Sequence, residues 1–469
     1  MAGGTWSAQN KAQPGVYINF KSSPANLVTA GARGIVAIGK ELSWGAPGEL
    51  IPIASPDDAF AKLGYDINHA NMRFLREIFR GTALSAGANL VYVYRLGTTG
   101  GAKAAATTGT LTATAAQEGV RGNDISIVVT PDLNTEYGED SSGTYAVYTV
   151  STVVDGSVVD VQTVGTFTSR ETYAAAKVGD LQPNGWVTFG GTESGLLDTA
   201  ATAGVALTGG KDGTLSPSAW ADFLSKLEPV VFNVLVYDGT DATTKAAVAA
   251  FVQRVSYEQG RYCQAVLSGY PAADSETVIS VKNGIQLQDG TKLPAHQATW
   301  WVGGATAGAN YNQSLTYAVH GFAADVLERF TRSELDEAIQ NGEFVFIEDY
   351  GKVKVLTDVN TFTSFTPDKG KQFRKNRVIR VLWSIANDIY QTFSRFYIGK
   401  IDNTEQGRNL LKGEIVAYLN EMQANGGIQN FSQGDVVIQA GNDADAVAIQ
   451  VGVQPVDSVE KIYMTVTVA

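Results

Sequence analysis

His69, His296 and His320 are the three imidazoles of this chain, and none lies in HExxH or another metal-ligand spacing. A serine hydrolase would need a histidine matched to a nucleophile on a tight glycine-flanked turn, and no GxSxG elbow occurs. Each histidine therefore reads as a structural side chain among apolar neighbours. Two glycine-rich stretches have the outline of phosphate loops. In GVALTGGKD, Gly210 stands where the lysine belongs and Asp212 follows Lys211 where Ser or Thr is required, so a turn is expected. GGATAG, Gly303 to Gly308, has the glycines of neither a dinucleotide fingerprint nor a kinase loop in register. DLNTEYG, Asp132 to Gly138, alternates oxygen-bearing side chains as a calcium loop does, but its glycine falls one place late and the twelfth position lacks glutamate. Glu334, Asp336 and Glu337 in SELDEAI read as first-turn helix carboxylates, favoured by the helix dipole. The single cysteine, Cys263, sits in YCQAVL as a small apolar filler and has no internal disulfide partner. The expectation is a protein with no catalytic, cofactor-binding or metal residues: no enzyme and no cofactor.

One charged feature stands apart. Lys369, Lys371, Arg374, Lys375, Arg377, Arg380, Arg395 and Lys400 face only Asp388 in the same stretch, inside a chain of formal net charge −12. Arg374, Arg377 and Arg380 recur at a spacing that keeps them near one helix face. Two readings stand, a solvated face and a strip that docks an acidic partner surface, Arg374, Lys375, Arg377 and Arg380 among it.

The acidic balance, with a pI near 4.9, opposes a protein whose task is gripping nucleic acid. Apolar runs such as VVFNVLVY are far shorter than the roughly 20 residues a membrane span needs, and MAGGTWSAQNK lacks the basic start and apolar run of a signal peptide. A product kept in the cytosol, or leaving it by lysis, is expected.

The elements that must hold these residues alternate between two textures. From Ala32 to Leu96 the pattern is α/β: GIVAIG and NLVYVYRL as strands, PDDAFAKLG and a stripe of Leu75, Ile78, Phe79 and Thr82 as helices. From about Ala104 to Leu207 short Thr- and Val-rich runs indicate a β-sandwich-like module, with ETYAAAKVG as a hint of helix. The α/β texture then resumes, with a helix capped by Ser216, strands in VVFNVLVYDG and YCQAVLSGY, and Val248, Phe251, Val252 and Val255 striping a further helix. One discontinuous α/β domain with an inserted β module is the simplest arrangement. The last part carries a helix of more than 20 residues striped by Val378, Val381, Leu382, Ile385 and Ile389. A second helix follows through Leu411, Ile415, Tyr418, Leu419 and Met422, then strands in DVVIQAG, AVAIQVGV and KIYMTVTV. Strand patterns at both termini, PGVYINF and EKIYMTVTVA, have no evident neighbours, and bare strand edges invite pairing with another chain. A subunit that completes itself with other copies is expected.

The segments PGVYINFKS, EGVRGNDI, LTGGKDGT, FRKNRVIRVLWSIANDIY, YIGKIDNTEQGR and VQPVDSVEKIYMTVTV resemble the tail sheath protein of contractile bacteriophage tails, in the form common in phages and prophages of Gram-positive bacteria. The resemblance touches nearly the whole chain in order. It implies a multidomain α/β plus β architecture. Residues 1–26 form an N-terminal arm, 27–97 and 210–355 a discontinuous subtilisin-like domain, 98–209 an inserted β-sandwich, and 356–469 a C-terminal α+β domain completed by strands from neighbouring subunits. It also implies a non-enzymatic subunit of stacked hexameric rings in a virion tail, assembled in the host cytoplasm. The implied partners are other copies, an inner tail tube protein, and baseplate and tail terminator proteins, with no direct nucleic-acid contact and no stable membrane insertion. On that resemblance Val16, Tyr17, Ile18 and Phe20, and at the other end Ile462, Tyr463, Met464, Val466 and Val468, are the exchanged strands. A tail-like bacteriocin or another contractile injection device is the alternative machine. A serine hydrolase and a carbohydrate-binding adhesin, the latter resting on the β module with its Trp186, are weaker rivals.

Overall fold

A computed structural model describes the backbone of residues 2–4 and 15–17, and residues 33–137, 145–191, 195 and 197–468. Two compact units emerge, one containing Ser384–Val456 with the described N-terminal residues, the other containing Ala32–Trp383 and Asp457–Ala469.

The larger unit is organised by a seven-stranded sheet. Its strands are β1 (Ile35–Lys40), β2 (Leu50–Ile53), β3 (Leu90–Arg95), then, beyond an inserted module, strands Val234–Val236, Gln264–Ser268, Val278–Val281 and Glu343–Phe344. Across the sheet the order runs from Glu343–Phe344 through Val278–Val281, Gln264–Ser268 and Val234–Val236 to β1, β3 and β2. All neighbours are parallel except the edge strand β2, which runs antiparallel to β3. Helices cover both faces, which is why these strands read as near-continuous apolar runs. On one face Val36, Ile38, Val91, Val93, Val234 and Val236 pack with residues of α1 (Asp58–Leu63), α2 (Arg73–Phe79) and α5 (Ala295–Gly308). On the other, Ala37, Tyr94, Leu235 and Leu267 meet α3 (Ala219–Leu227) and α4 (Ala242–Tyr257). The α3 helix starts two residues later than the Ser216–Pro217 pair suggests, and Thr82 lies past α2 in a turn closed by the Thr82 amide on the Ser85 carbonyl.

GGATAG lies inside α5, not in a loop. A Cβ on Gly304 would stand 1.9 Å from the Ile78 carbonyl oxygen. The glycines there let α5 and α2 approach backbone to backbone.

Between β3 and α3 the chain builds two larger antiparallel sheets and two short two-stranded ones. Of the larger two, one orders Ser157–Val164, Tyr148–Val154, Ile125–Pro131 and Val205–Ala206; the other orders Val187–Gly190, Leu111–Glu118 and Lys103–Thr108. Alternate residues Leu111, Ala113, Ala115, Ile125, Ile127, Val129, Tyr148 and Val150 point into one shared core, the period-2 pattern of half-buried strands. ETYAAAKVG is not a helix: Thr172–Ala174 pairs with Thr166–Ser169 in an exposed hairpin, as strand-favouring Thr and Tyr allow, and Val178–Asp180 forms one tight turn. Trp44 from the α/β part stacks on Trp186 at 5.1 Å, and buried Arg121 donates to the Gly64 carbonyl at 2.6 Å and to Asp155. These contacts seat the module on the sheet domain.

The larger unit also holds α6 (Arg332–Gln340), and in the smaller unit lie the C-terminal part of α7 (Asn376–Phe396) and all of α8 (Glu405–Ala424). The Tyr418 hydroxyl donates to Asp388 at 2.7 Å, so the one acid of the basic stretch is held by hydrogen bonding in the interior. A hairpin, Val436–Ala440 with Val447–Val451, follows.

Candidate assembly surfaces

The strand patterns at the two termini have different surroundings. Gly15–Tyr17, which includes Val16 and Tyr17, pairs in parallel with Ala2–Gly4. A partner inside MAGG was not expected from its small residues. Ile18 and Phe20 lie outside the described residues. At the other end, residues 461–468 are paired with no strand among the described residues. Ile462, Tyr463, Met464, Val466 and Val468 are 79, 91, 78, 76 and 91 % exposed. The period-2 apolar pattern of this segment makes a strand only beside an edge, and among the described residues it lies against none. Five large apolar side chains left in water within seven residues mark a surface that needs covering.

The C-terminal unit has the complementary deficiency. Its hairpin is a sheet of two strands, and among the described residues neither strand has a second neighbour. Val437 and Ile449 are exposed on it. Such a hairpin is marginal alone and leaves two edges of unpaired amides and carbonyls.

The basic strip divides. Arg380 is buried, donating to the Gln313 carbonyl at 2.8 Å and ion-paired to buried Asp358. Lys375 is ion-paired to Glu460. Arg374 and Arg377 are half-buried, and burial holds both guanidinium groups below their ordinary value, in Arg377 against the pull of the Asp457 carboxylate. A strip legible as one charged face is thus partly an internal network, because Asp358 and Glu460 come from segments whose proximity no local spacing shows.

The histidines and the other candidate residues have structural partners. His69 caps the turn Ala70–Met72, its Nδ1 accepting from the Asn71 amide at 3.2 Å. His320 is fully buried against Glu77, Nε2 to Oε2 3.0 Å, beneath the Trp301 ring. His296 lines a cleft of about 940 Å³ at the carboxyl ends of β1 and Val234–Val236, where burial pushes its imidazole down. That cleft is the usual ligand position of an open α/β sheet, but its Lys40 is bonded to Asp238 at 2.6 Å, and Asp238 also accepts from Trp300 Nε1 at 2.8 Å. Burial pushes the Cys263 thiol up to about 12, far from a reactive thiolate. No group of three or more metal-ligating side chains occurs among the described residues. Asp132 of the calcium-loop look-alike accepts from the Asn134 amide at 3.0 Å as an ordinary turn cap. Trp186 is buried against Trp44, so the β module does not offer it to a sugar.

Three family models match the chain in order. They are the tail sheath protein Gp18 domain III N-terminal region over residues 33–96, the phage tail sheath protein central domain over 213–361, and the phage tail sheath C-terminal domain over 368–469. Among curated proteins, the chain is 35% identical over 494 aligned residues to the phage-like element PBSX protein XkdK of Bacillus subtilis (strain 168), with 100% of both chains covered. Among solved structures, the sheath tail protein of Desulfitobacterium hafniense is 44% identical with a TM-score of 0.79, covering 96% of this chain and 99% of that one. The sheath tail protein of Listeria innocua is 32% identical with a TM-score of 0.77, covering 94% and 96%.

Proposed function

The chain belongs to the phage tail sheath protein family, with relatives in Gram-positive bacteria, and from that premise we propose how its copies join and move. It is a structural component of a phage or phage-like contractile tail, not an enzyme. The proposed assembly is a stack of hexameric rings around an inner tube, contracting to drive the tube through a target cell envelope, in a virion or in a tail-like bacteriocin or other injection device. The supporting observation is the exposed apolar segment Ile462–Val468, paired with no strand among the described residues, in a chain whose C-terminal hairpin has no third strand among them.

In this reading the segment adds as a strand to a neighbour's C-terminal sheet, gaining main-chain hydrogen bonds along the strand and register through alternate side-chain pockets. The N-terminal strand around Val16, Tyr17, Ile18 and Phe20 is the reciprocal arm. Residues 356–469 face the tube and the inserted β-sandwich, 98–209, projects outward from a subtilisin-like domain formed by 27–97 and 210–355. Contraction is then a switch between two packings of largely rigid bodies, with extensible links beside shared sheets that stay paired. Docking towards the tube rests on Arg374 and Arg377, whereas Lys375 and Arg380 have internal partners. Baseplate and terminator proteins close the two ends.

The purified full chain, viewed by negative-stain electron microscopy at rising concentration, is expected to form ring stacks or hollow cylinders. A population of monomers at every concentration would contradict the reading.

A further inference from the structure

The basic strip and the C-terminal arm meet at one carboxylate. Glu460 Oε2 is ion-paired to Lys375 Nζ, while Oε1 accepts from Thr316 Oγ1 at 2.8 Å and lies 3.5 Å from the Ser458 hydroxyl. The Lys375 and Glu460 side chains are 24 and 15 % exposed, and every residue from 461 to 468 is exposed. Glu460 is the last covered residue of the described chain, held between the exposed Val459 and Lys461.

The receiving groups are themselves fixed. The Thr316 hydroxyl accepts from the Asp358 amide at 3.0 Å, and the Thr316 amide donates to Ser314 Oγ at 3.1 Å. Buried Asp358 takes the Leu315 amide at 2.9 Å and Asn376 Nδ2 at 2.9 Å, and pairs with Arg380. This network orients Thr316 and the start of α7, which carries Lys375 just before its first turn. A surface ion pair between two free long side chains is worth little. A covered pair with a third, preoriented donor is a built site.

We propose that Lys375 and Thr316 form a carboxylate socket that takes Glu460 of the same chain and fixes the point from which the C-terminal arm leaves its own copy. The inference rests on the strand-addition reading above and names the residue that positions the arm for it. Pinning the root shortens the free link between body and strand, so the strand is presented at a higher effective concentration to the neighbouring edge. Glu460 is therefore a positioning residue: it pairs with no strand and acts through residues 462–468.

The test is a charge swap read by cylinder growth at low salt, with the melting of the unassembled chain as a fold control. Glu460→Gln is expected to slow growth about tenfold, the size of one lost charge-assisted contact. Glu460→Lys and Lys375→Glu are each expected to slow it more. The double variant Lys375→Glu with Glu460→Lys is expected to recover growth to within about threefold of the original, as pairing is restored with the signs exchanged. Growth of Glu460→Lys at the original rate, or a double variant no faster than either single one, would overturn the socket. A deletion of residues 461–469 run alongside separates the two claims. If the deletion blocks growth while Glu460→Lys does not, the socket alone fails; if the deletion grows normally, strand addition fails and the socket with it.

Discussion

Deletion of residues 461–469 is expected to abolish cylinder formation while leaving a folded chain of unchanged melting behaviour. The fold should not notice the loss, because Ile462, Tyr463, Met464, Val466 and Val468 are mostly in water and pair with no strand among the described residues. Assembly should notice it strongly. Covering one such apolar side chain is worth about 1.5–3 kcal/mol, and even with the ordering cost of association subtracted, alternate residues of a whole strand amount to a thousandfold or more in affinity. Sedimentation and electron microscopy of intact and shortened chains at matched concentration measure this. The opposite pattern, a destabilised monomer that still polymerises, would place the segment in its own copy's core.

Loss of Glu77 is the second large effect. Its carboxylate is fully buried on α2, pairs with Arg80, and meets His320 Nε2 at 3.0 Å. The Phe322 amide donates to His320 Nδ1 at 3.3 Å, which leaves Nε2 to carry the proton and donate to Glu77. The Arg80 guanidinium in turn lies 4.0 Å from the centre of the Phe322 ring. Replacing Glu77 by alanine strands a buried imidazole N–H and removes the counter-charge of Arg80, which costs about 3–5 kcal/mol when a buried partner is deleted. Calorimetric unfolding should show the transition of the larger unit falling sharply, with the smaller unit as internal comparison. A shift no larger than that of a surface substitution, within about 0.5 kcal/mol, would show that the pair is not what holds α2 to the loop at His320.

Much of the fold is legible locally. GIVAIG, NLVYVYRL and YCQAVLSGY are apolar because helices cover both sheet faces, and their flanking turns bound them well enough to place β1, β3 and Gln264–Ser268. The stripe Val248, Phe251, Val252 and Val255 is buried on α4 as its spacing predicts. What stayed hidden depends on pairs distant in sequence. Glu77 and His320 are separated by 243 positions. His320 showed only as one histidine beside apolar residues, and nothing near Glu77 announced a partner. Arg380 and Asp358 are closer, yet they meet across a bend between a strand-like segment and α7, so helical spacing assigned Arg380 to an outer face that it does not occupy. GGATAG was legible as not a nucleotide loop, but its actual use, a backbone contact of Gly304 with Ile78, needs α2 beside it. ETYAAAKVG misled because alanines favour helix locally, while the hairpin is decided by the neighbouring Thr166–Ser169 strand. The terminal strand patterns were visible, but only residues 462–468 lack a strand neighbour among the described residues, whereas Gly15–Tyr17 finds one in Ala2–Gly4, whose small residues gave no sign of a strand.

The most direct measurement is a cryo-electron microscopy map of assembled cylinders at side-chain resolution, asking where residues 462–468 lie. The account predicts that they run as a strand in the sheet of a neighbouring copy's C-terminal unit, beside the Val436–Ala440 and Val447–Val451 hairpin. Residues 462–468 folded back on their own copy, or left unpaired in an intact cylinder, would contradict it.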